Sequence, residues 1–186
     1  GRPLNDPSFM PVYAELERRS LPFLLHPISP PGLDCMLELN LANVVGFMFE
    51  TTLAAARLVF AGVFERCRDL KMIFPHLGGL APYLMGRIQW GYERFPACSA
   101  NLSAPPEAYF KRFYYDTVGH GSHAALTCAW KAFGADHLVA GSDYPVLLSF
   151  ETYRQTFHYI RESGLPAEDV DKILNHNAQI LLGLEH

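Results

Sequence analysis

The sequence predicts an α/β protein built on a parallel sheet, and three observations lead to this class. Short apolar runs alternate with longer stretches of helical periodicity along the whole chain. Strands that are separated by helices pair in parallel, because each crossover returns the chain in the same direction. Polar residues also follow the apolar runs at their carboxyl ends, where parallel sheets carry their chemistry.

The four predicted strands are short and apolar, and a helical stretch follows each of them. The strands comprise residues 21–27, 70–76, 113–117 and 137–145. Helical periodicity or composition predicts helices over 6–20, 50–69, 81–95, 122–134, 149–164 and 166–183, with a short helix within 101–112. Residues 28–49 are rich in proline, glycine and leucine without a clear period, which predicts a loop with one short helix.

Composition narrows the possible partners and the compartment. The chain has 186 residues, 49% of them hydrophobic, which is enough for one domain with a sizeable core. A net charge of -4, with no basic run longer than Arg18–Arg19, argues against nucleic acid. The longest apolar stretch, 53–64, is shorter than the roughly 18 residues of a membrane span, and no signal peptide is recognisable. The four cysteines form no C-x-x-C pair, which predicts free thiols in the cytoplasm.

Three of the four predicted strands end in a polar residue, namely His26, His76 or Asp143, and the other leads into Asp116 and His120. Each has an ordinary explanation by itself: a turn residue, a histidine that satisfies backbone carbonyls, or an aspartate that fixes a turn. Two imidazoles and one carboxylate at strand ends can instead converge on one point. That set suits a divalent ion such as zinc, so the pattern indicates a metal site.

Five motifs, in this order, resemble the amidohydrolase-2 family: LHP, FPHLGG…PYLMGRI, FYYDTVGH, AGSDYP and ILNHNAQILLG. The resemblance covers nearly the whole chain, and the family's best-known members resemble the aminocarboxymuconate semialdehyde and aromatic-acid decarboxylases. It implies a (β/α)₈ TIM-type barrel, of which only the last four strand–helix units are present. It also implies a metal-dependent, non-oxidative decarboxylase of a small aromatic or unsaturated carboxylic acid. A hydrolase of the same superfamily remains open, because both reactions use the same groups.

The resemblance implies particular roles for the strand-end residues. His26 and Asp143 would be metal ligands, and His76 would be the general acid/base, with Asp143 completing the catalytic set. Arg87 would bind the substrate carboxylate near a dimer interface, since a guanidinium meets a carboxylate with two parallel hydrogen bonds. A helix-surface position is the alternative for Arg87. His120 would be a pocket residue or a structural one.

Three aromatic residues, Phe47, Phe49 and Trp90, either line the substrate pocket or pack in the core. The cofactor implied is a divalent metal, with zinc favoured and manganese as the alternative. The partner implied is a small carboxylic acid, with no nucleic acid and no membrane.

One feature departs from the family pattern, because the sequence has no H-x-H pair. A full barrel takes about 250 residues. The chain is therefore expected to be a C-terminal half, covering 1–183, or a half-barrel that pairs with a missing N-terminal half or with a second copy. A third hypothesis is a non-catalytic chain, since two protein ligands hold a metal weakly. Residues 184–186 are interpreted as the remnant of an affinity tag.

Overall fold

A computed structural model describes residues 2–184 and shows four short parallel strands with helices between them. The predicted tag remnant lies mostly outside these residues, since Glu185 and His186 are not described. The strands are β1 (Phe23–Leu24), β2 (Met72–Phe74), β3 (Tyr114–Asp116) and β4 (Leu138–Val139). Each predicted strand is present and is shorter than expected, because the chain turns away before the polar residue that follows.

Ten α-helices surround the sheet in the described part of the chain. They are α1 (Met10–Arg18), α2 (Phe47–Phe60), α3 (Val63–Arg66), α4 (Ala81–Arg94), α5 (Pro96–Ser99), α6 (Pro106–Phe110), α7 (His123–Phe133), α8 (Tyr153–Arg161), α9 (Ala167–Asp171) and α10 (Asn177–Leu182). A π-helical segment, Ala42–Gly46, leads into α2, and another, Lys172–His176, joins α9 to α10. The predicted helix over 166–183 is therefore one helical run.

The strands lie in their sequence order, β1-β2-β3-β4, and all pairs are parallel. An order without reversal is that of successive units in a β/α barrel, whereas a doubly wound sheet reverses its order. The sheet is therefore a segment of a barrel-like wall. Its carboxyl ends all lie at one edge, which is where the polar residues predicted from sequence follow the strands.

The core lies between the sheet and the helices. The side chains of Met72, Phe74, Tyr115 and Leu138 point to this side and are inaccessible to solvent. Tyr115 stacks on Phe133 of α7 with ring centroids 3.8 Å apart, so aromatic packing ties β3 to the helical layer. The opposite face carries the paired row Leu24, Ile73 and Tyr114, and Leu24 is 54% exposed. One face of the sheet is therefore a packed core and the other is much less covered.

The predicted helix over 50–69 is two helices, and it starts earlier than expected. α2 begins at Phe47 because the π-helical segment feeds directly into it. The break falls at Gly62, whose φ of 69° ends α2 and begins α3. A Cβ on Gly62 would lie 2.7 Å from the carbonyl oxygen of Asn101, so the close approach of that loop also requires glycine.

One stretch among the described residues, Glu38–Phe60, is long and apolar enough to cross a membrane when length and composition are the only criteria. It is longer than the apolar run read from the sequence, because the helix begins before residue 50. A core helix passes the same test, and Ala55, Leu58 and Val59 of α2 are buried in the core cluster.

The C-terminal helical run covers the outer edge of β4. The side-chain amide of Asn177 donates hydrogen bonds to the carbonyls of Ala135 and Leu138, at 2.7 and 2.6 Å. The amide of Ala140 donates to the carbonyl of Ile173 at 3.0 Å. At the other edge, β1 pairs with β2 alone among the described strands. Among the described residues the two edges therefore differ, and the β1 edge is the open one.

Candidate active site

Three side chains that follow strands converge at the carboxyl edge of the sheet. His26, His76 and Asp143 each offer a ligand atom, and these atoms lie within 4.8 Å of one another. His26 Nε2 is 3.7 Å from Asp143 Oδ1, and the two imidazole rings have centroids 5.6 Å apart. The structure thus brings together the three residues that the sequence singled out from separate strand ends.

His26 is oriented by a contact to the next residue, and the loop after it is held by a distant one. Its Nδ1 lies 2.8 Å from the carbonyl oxygen of Pro27, which makes Nδ1 the protonated nitrogen of the neutral ring and leaves Nε2 as a free lone pair. The loop that follows is held by Glu50 of α2, whose Oε2 accepts the amides of Ile28 and Ser29, both at 2.9 Å. Glu50 was not singled out from the sequence, because nothing in its helix pattern shows that a distant loop uses it.

His76 follows β2 and is positioned through its backbone. Its amide donates a 2.7 Å hydrogen bond to Oδ1 of Asp116, which ends β3. The Nδ1 atom of the His76 ring is buried and has no hydrogen-bond partner among the described residues. Burial lowers the pKa of His76 to about 4, opposed by the Asp143 carboxylate.

Asp116 links β2 and β3 beneath the converging side chains. Its Oδ1 accepts the amide of Val118 at 3.0 Å as well as that of His76. Some of its surface stays accessible, yet protein atoms enclose the carboxyl group, and this burial raises the pKa of Asp116 to about 6. Gly141 passes so close that a Cβ there would lie 2.7 Å from the Asp116 Cβ. The sequence pattern singled out Asp116 at the end of a strand but did not predict that it accepts the amide of His76.

The glycine pair after His76 is explained by two close approaches. Gly78 has a φ of 78°, and a Cβ there would lie 2.8 Å from the Tyr115 ring. Gly79 has a φ of 64°, and its Cβ would lie 2.6 Å from the carbonyl of Met48. The glycine pair therefore lets the chain turn sharply after β2, between the aromatic residues of the core and α2. His76 is left at the carboxyl edge of the sheet.

Several residues of the site have left-handed backbone conformations, which cost non-glycine residues of order 1 kcal/mol each. Seven non-glycine residues in the described chain have positive φ, and four of these are His76 (56°), Leu77 (56°), His120 (45°) and Asp143 (54°). Strain of this kind persists where the surrounding structure over-determines it and clusters at functional sites. Its concentration here marks this edge of the sheet as the functional one.

Two of the converging residues, His76 and Asp143, line a pocket of about 810 Å³. Asn43, Tyr83 and His120 add further polar side chains. The walls are mainly apolar and are formed by residues that include Val44, Phe47, Leu80, Val118, Val146 and Phe150. No lysine or arginine of the described chain is among the lining residues. A concave, apolar pocket with a few convergent polar groups fits a small, mostly apolar ligand.

The structure separates the other predicted site residues into two groups. Phe47 and His120 line the pocket, and the Phe47 ring is 6.3 Å from that of His26. Trp90 and Phe49 were predicted to lie in the pocket or the core. Both are about half-exposed, and neither lines the pocket. Arg87 is exposed on α4 and does not line the pocket of this chain. Its predicted role required a dimer interface and stays a prediction.

The residues of the cluster fit a divalent cation. Two imidazoles and a carboxylate are the ligand types that zinc and manganese accept, and the ligand atoms are close enough to share one ion. The buried, unpartnered Nδ1 of His76 points to a missing partner, since burying such an atom without one is costly. Within the described residues the cluster has three members, which is one fewer than a closed structural zinc site uses.

The family model described as amidohydrolase, of the Amidohydro_2 type, matches residues 1–184, and the chain belongs to this family. Among curated relatives, 2-amino-3-carboxymuconate-6-semialdehyde decarboxylase from Dictyostelium discoideum is 32% identical over 186 residues. That match covers 100% of this chain and 51% of the relative. The resemblance drawn from the five motifs is therefore confirmed, and the chain spans about half the length of the curated relatives it matches.

Two solved structures show the same fold. The 5-carboxyvanillate decarboxylase from Sphingomonas paucimobilis superposes with a TM-score of 0.86 at 25% identity, covering 97% of this chain and 54% of that one. The dihydroxybenzoic acid decarboxylase from Polaromonas sp. JS666, with bound manganese and the inhibitor 2-nitroresorcinol, gives a TM-score of 0.84 at 26% identity, covering 99% and 56%. The four strand–helix units are thus a partial TIM-type barrel, as the sequence predicted.

Proposed function

We propose that this chain is the metal-binding part of a non-oxidative decarboxylase that acts on a small aromatic or unsaturated carboxylic acid. The convergence of His26, His76 and Asp143 on one point is the observation that carries the proposal. The names of the relatives support the reaction, since those reported above are decarboxylases of carboxylated aromatic rings or of a muconate. The apolar pocket with polar groups on its wall suits such a substrate.

In this proposal His26 Nε2 and an Asp143 carboxylate oxygen are the metal ligands. A bound divalent cation would supply the positive charge that fixes a carboxylate or phenolate oxygen of the substrate. Phe47, beside His26, lies against the apolar part of the substrate and excludes water. The polar set and the apolar wall thus fix the two ends of an aromatic acid separately.

His76 is the general acid/base of the proposed reaction. The bond between the ring carbon and the carboxylate breaks, carbon dioxide leaves, and the electron pair stays on the carbon. His76 in its protonated form gives the proton that takes the place of the carboxylate, and the neutral imidazole that is left regains a proton from solvent. The hydrogen bond from the backbone amide of His76 to Oδ1 of Asp116 fixes the position of His76 relative to the sheet.

The metal is proposed to be zinc or manganese. Zinc was expected from the ligand types, and the manganese in the Polaromonas structure makes that ion an equal candidate. Elemental analysis with native mass spectrometry on one sample would identify it. We expect His26→Ala to lower the affinity for either ion by more than tenfold, with His158→Ala as the control, because His158 is a histidine on the exposed surface of α8. Equal metal affinity in wild type and His26→Ala would contradict the assigned ligand.

The hydrolase alternative uses the same residues, and the product separates the two reactions. Carbon dioxide release from 2,6-dihydroxybenzoate would support decarboxylation, and formation of an alcohol and a shorter acid from an ester or lactone would support hydrolysis. In the barrel completed by the missing strands, we expect carbon dioxide release to require His76, so that His76→Asn lowers the rate at least a hundredfold. An unchanged rate in that variant would remove His76 from the reaction.

We further propose that this chain by itself turns over slowly or not at all, and that activity needs the strands that complete the wall of the barrel. The open β1 edge and the exposed Leu24 offer the place for an added strand. The occupant is proposed to be an N-terminal half or a second copy. Light scattering separates these, because a dimeric mass for the chain by itself supports the second copy. Carbon dioxide release by a monomeric sample at the rate of a full-length relative would refute the requirement.

A further inference from the structure

A second polar contact of the pocket lies away from the proposed metal ligands, at His120. His120 follows β3 and lines the pocket, and its side chain is 57% exposed. Most other residues that line the pocket bring no charge, among them Val118, Ala125, Cys128 and Phe150. A polar ring in an apolar wall selects a ligand that has a polar substituent at the matching position.

The backbone that carries His120 is held tightly. The hydroxyl of Tyr159 donates to the carbonyl of Thr117, and the amide of Val118 donates to Asp116. A Cβ on Gly119 would lie 2.9 Å from Leu77 Cδ1 and 3.1 Å from the Tyr159 hydroxyl, so a side chain there would displace the end of the Leu77 side chain. The turn closes when Ser122, which caps α7, donates its amide to the Gly119 carbonyl at 2.9 Å. His120 is thus set on a fixed turn with a φ of 45°.

The ring of His120 is also oriented. Its Nδ1 lies 3.4 Å from Oε1 of Glu151, whose side chain is only 19% exposed. Glu151 is fixed in turn, because its amide donates to the Leu147 carbonyl at 3.0 Å and Leu147 is buried. A carboxylate beside Nδ1 favours the proton on that nitrogen, which leaves Nε2 with a lone pair that can accept a hydrogen bond.

We propose that His120, oriented by Glu151, binds a ring hydroxyl of the aromatic acid and thereby selects hydroxylated aromatic acids over unsubstituted ones. This inference rests on the proposed function for its ligand class. His120 Nε2 accepts a hydrogen bond from the ring hydroxyl in the bound state, and Glu151 is a positioning residue that acts through His120. An aromatic acid that lacks the hydroxyl leaves Nε2 in contact with an apolar ring, which loses the hydrogen bond.

The test measures binding and not turnover. The whole chain, saturated with Zn²⁺ as a diamagnetic probe, is titrated with 2,6-dihydroxybenzoate and with benzoate, and the ratio of the two Kd values is taken from NMR shifts. The variants are His120→Phe and Glu151→Gln. The controls are His158→Phe and Glu162→Gln, which remove a similar imidazole–carboxylate pair, 3.2 Å apart, on the exposed surface of α8.

We expect 2,6-dihydroxybenzoate to bind about three- to tenfold more tightly than benzoate, the range of one net hydrogen bond. His120→Phe should remove this preference and Glu151→Gln should reduce it, while both controls keep it. Long-range ¹H–¹⁵N spectra should show the Nδ1–H form of His120 in wild type and a mixture of both forms in Glu151→Gln. A purely structural role of Glu151 would change stability without changing this tautomer.

Two results would overturn the inference. A preference for the hydroxylated acid that survives in His120→Phe would exclude His120 as its source, whether or not the protein is a decarboxylase. A wild-type chain that binds neither acid would overturn it together with the proposed ligand class. Loss of the preference in His120→Phe, in a chain that releases no carbon dioxide even as part of a complete barrel, would support this inference and refute the proposed function.

Discussion

Replacing Asp116 tests how the site is held, because one oxygen of this residue accepts two backbone amides. Asp116→Ala removes the acceptor of the His76 amide at 2.7 Å and of the Val118 amide at 3.0 Å. Net values of about 1 to 1.5 kcal/mol per hydrogen bond give an expected loss of about 2 to 3 kcal/mol in the free energy of unfolding. Asp116→Asn keeps the same oxygen in place and removes only the charge.

The charge itself is not expected to stabilise the fold. Burial raises the pKa of Asp116 to about 6, which means that its surroundings disfavour the ionised form. Asp116→Asn should therefore stay within about 1 kcal/mol of wild type, although it neutralises a carboxylate beside the proposed metal site. The comparison between the two variants separates the acceptor from the charge.

Urea unfolding followed by tryptophan fluorescence, in the presence of EDTA so that no metal contributes, measures both variants. The control is Asp69→Ala, which truncates an exposed aspartate and should change stability by less than about 0.5 kcal/mol. Amide exchange at His76 should accelerate in Asp116→Ala and stay slow in Asp116→Asn. The reasoning is refuted if Asp116→Ala is as stable as wild type, or if Asp116→Asn is destabilised as much as Asp116→Ala.

The remaining predictions concern the supporting structure. Hydrogen bonds from a serine and from Tyr109 lower the pKa of Glu65 from 4.5 to about 2. The ionised Glu65 therefore stabilises the fold fully above pH 4.5, and this stabilisation is lost as the pH falls toward 2. Unfolding between pH 5 and 2 should show a shallower loss of stability in Glu65→Gln, and an unchanged slope would contradict the pairing. Asn177→Ala should cost about 2 to 4 kcal/mol in urea unfolding, because it frees two buried carbonyls at the β4 edge; a loss below 0.5 kcal/mol would show that water replaces the amide. Gly141→Ala should lower the free energy of unfolding by about 1 to 3 kcal/mol, because its Cβ would meet the side chain of Asp116 in β3. Gly86→Ala on α4 has open space around the new Cβ and should be neutral or stabilising. Equal thermal shifts in the two variants would refute the packing argument.

Much of the fold could be read from local sequence signals. The four apolar runs and the glycine after α7 identified strands and a helix end, because hydrophobic periodicity and backbone freedom are local properties. The break at Gly62 was missed, since a single glycine in an alanine-rich helical pattern gives no sign of the Asn101 loop that forces it. Trp90 was predicted to lie in the pocket or the core because its ring is apolar. It is instead half-exposed and packs against Phe95, a contact that hydrophobic periodicity does not predict.

The sequence by itself determined which residues stand at the carboxyl ends of the strands, because strand ends are set by local hydrophobic pattern and by glycine and proline. His26, His76 and Asp143 follow from that alone, and the resemblance of the five motifs identified the family to which the chain belongs. Only the tertiary structure decided how these side chains are held, because the supports come from distant parts of the chain. Glu50 reaches back across 22 residues to the loop after His26, and Asp116 reaches across 40 to the amide of His76. Such contacts depend on strand register and helix docking, which local sequence does not specify.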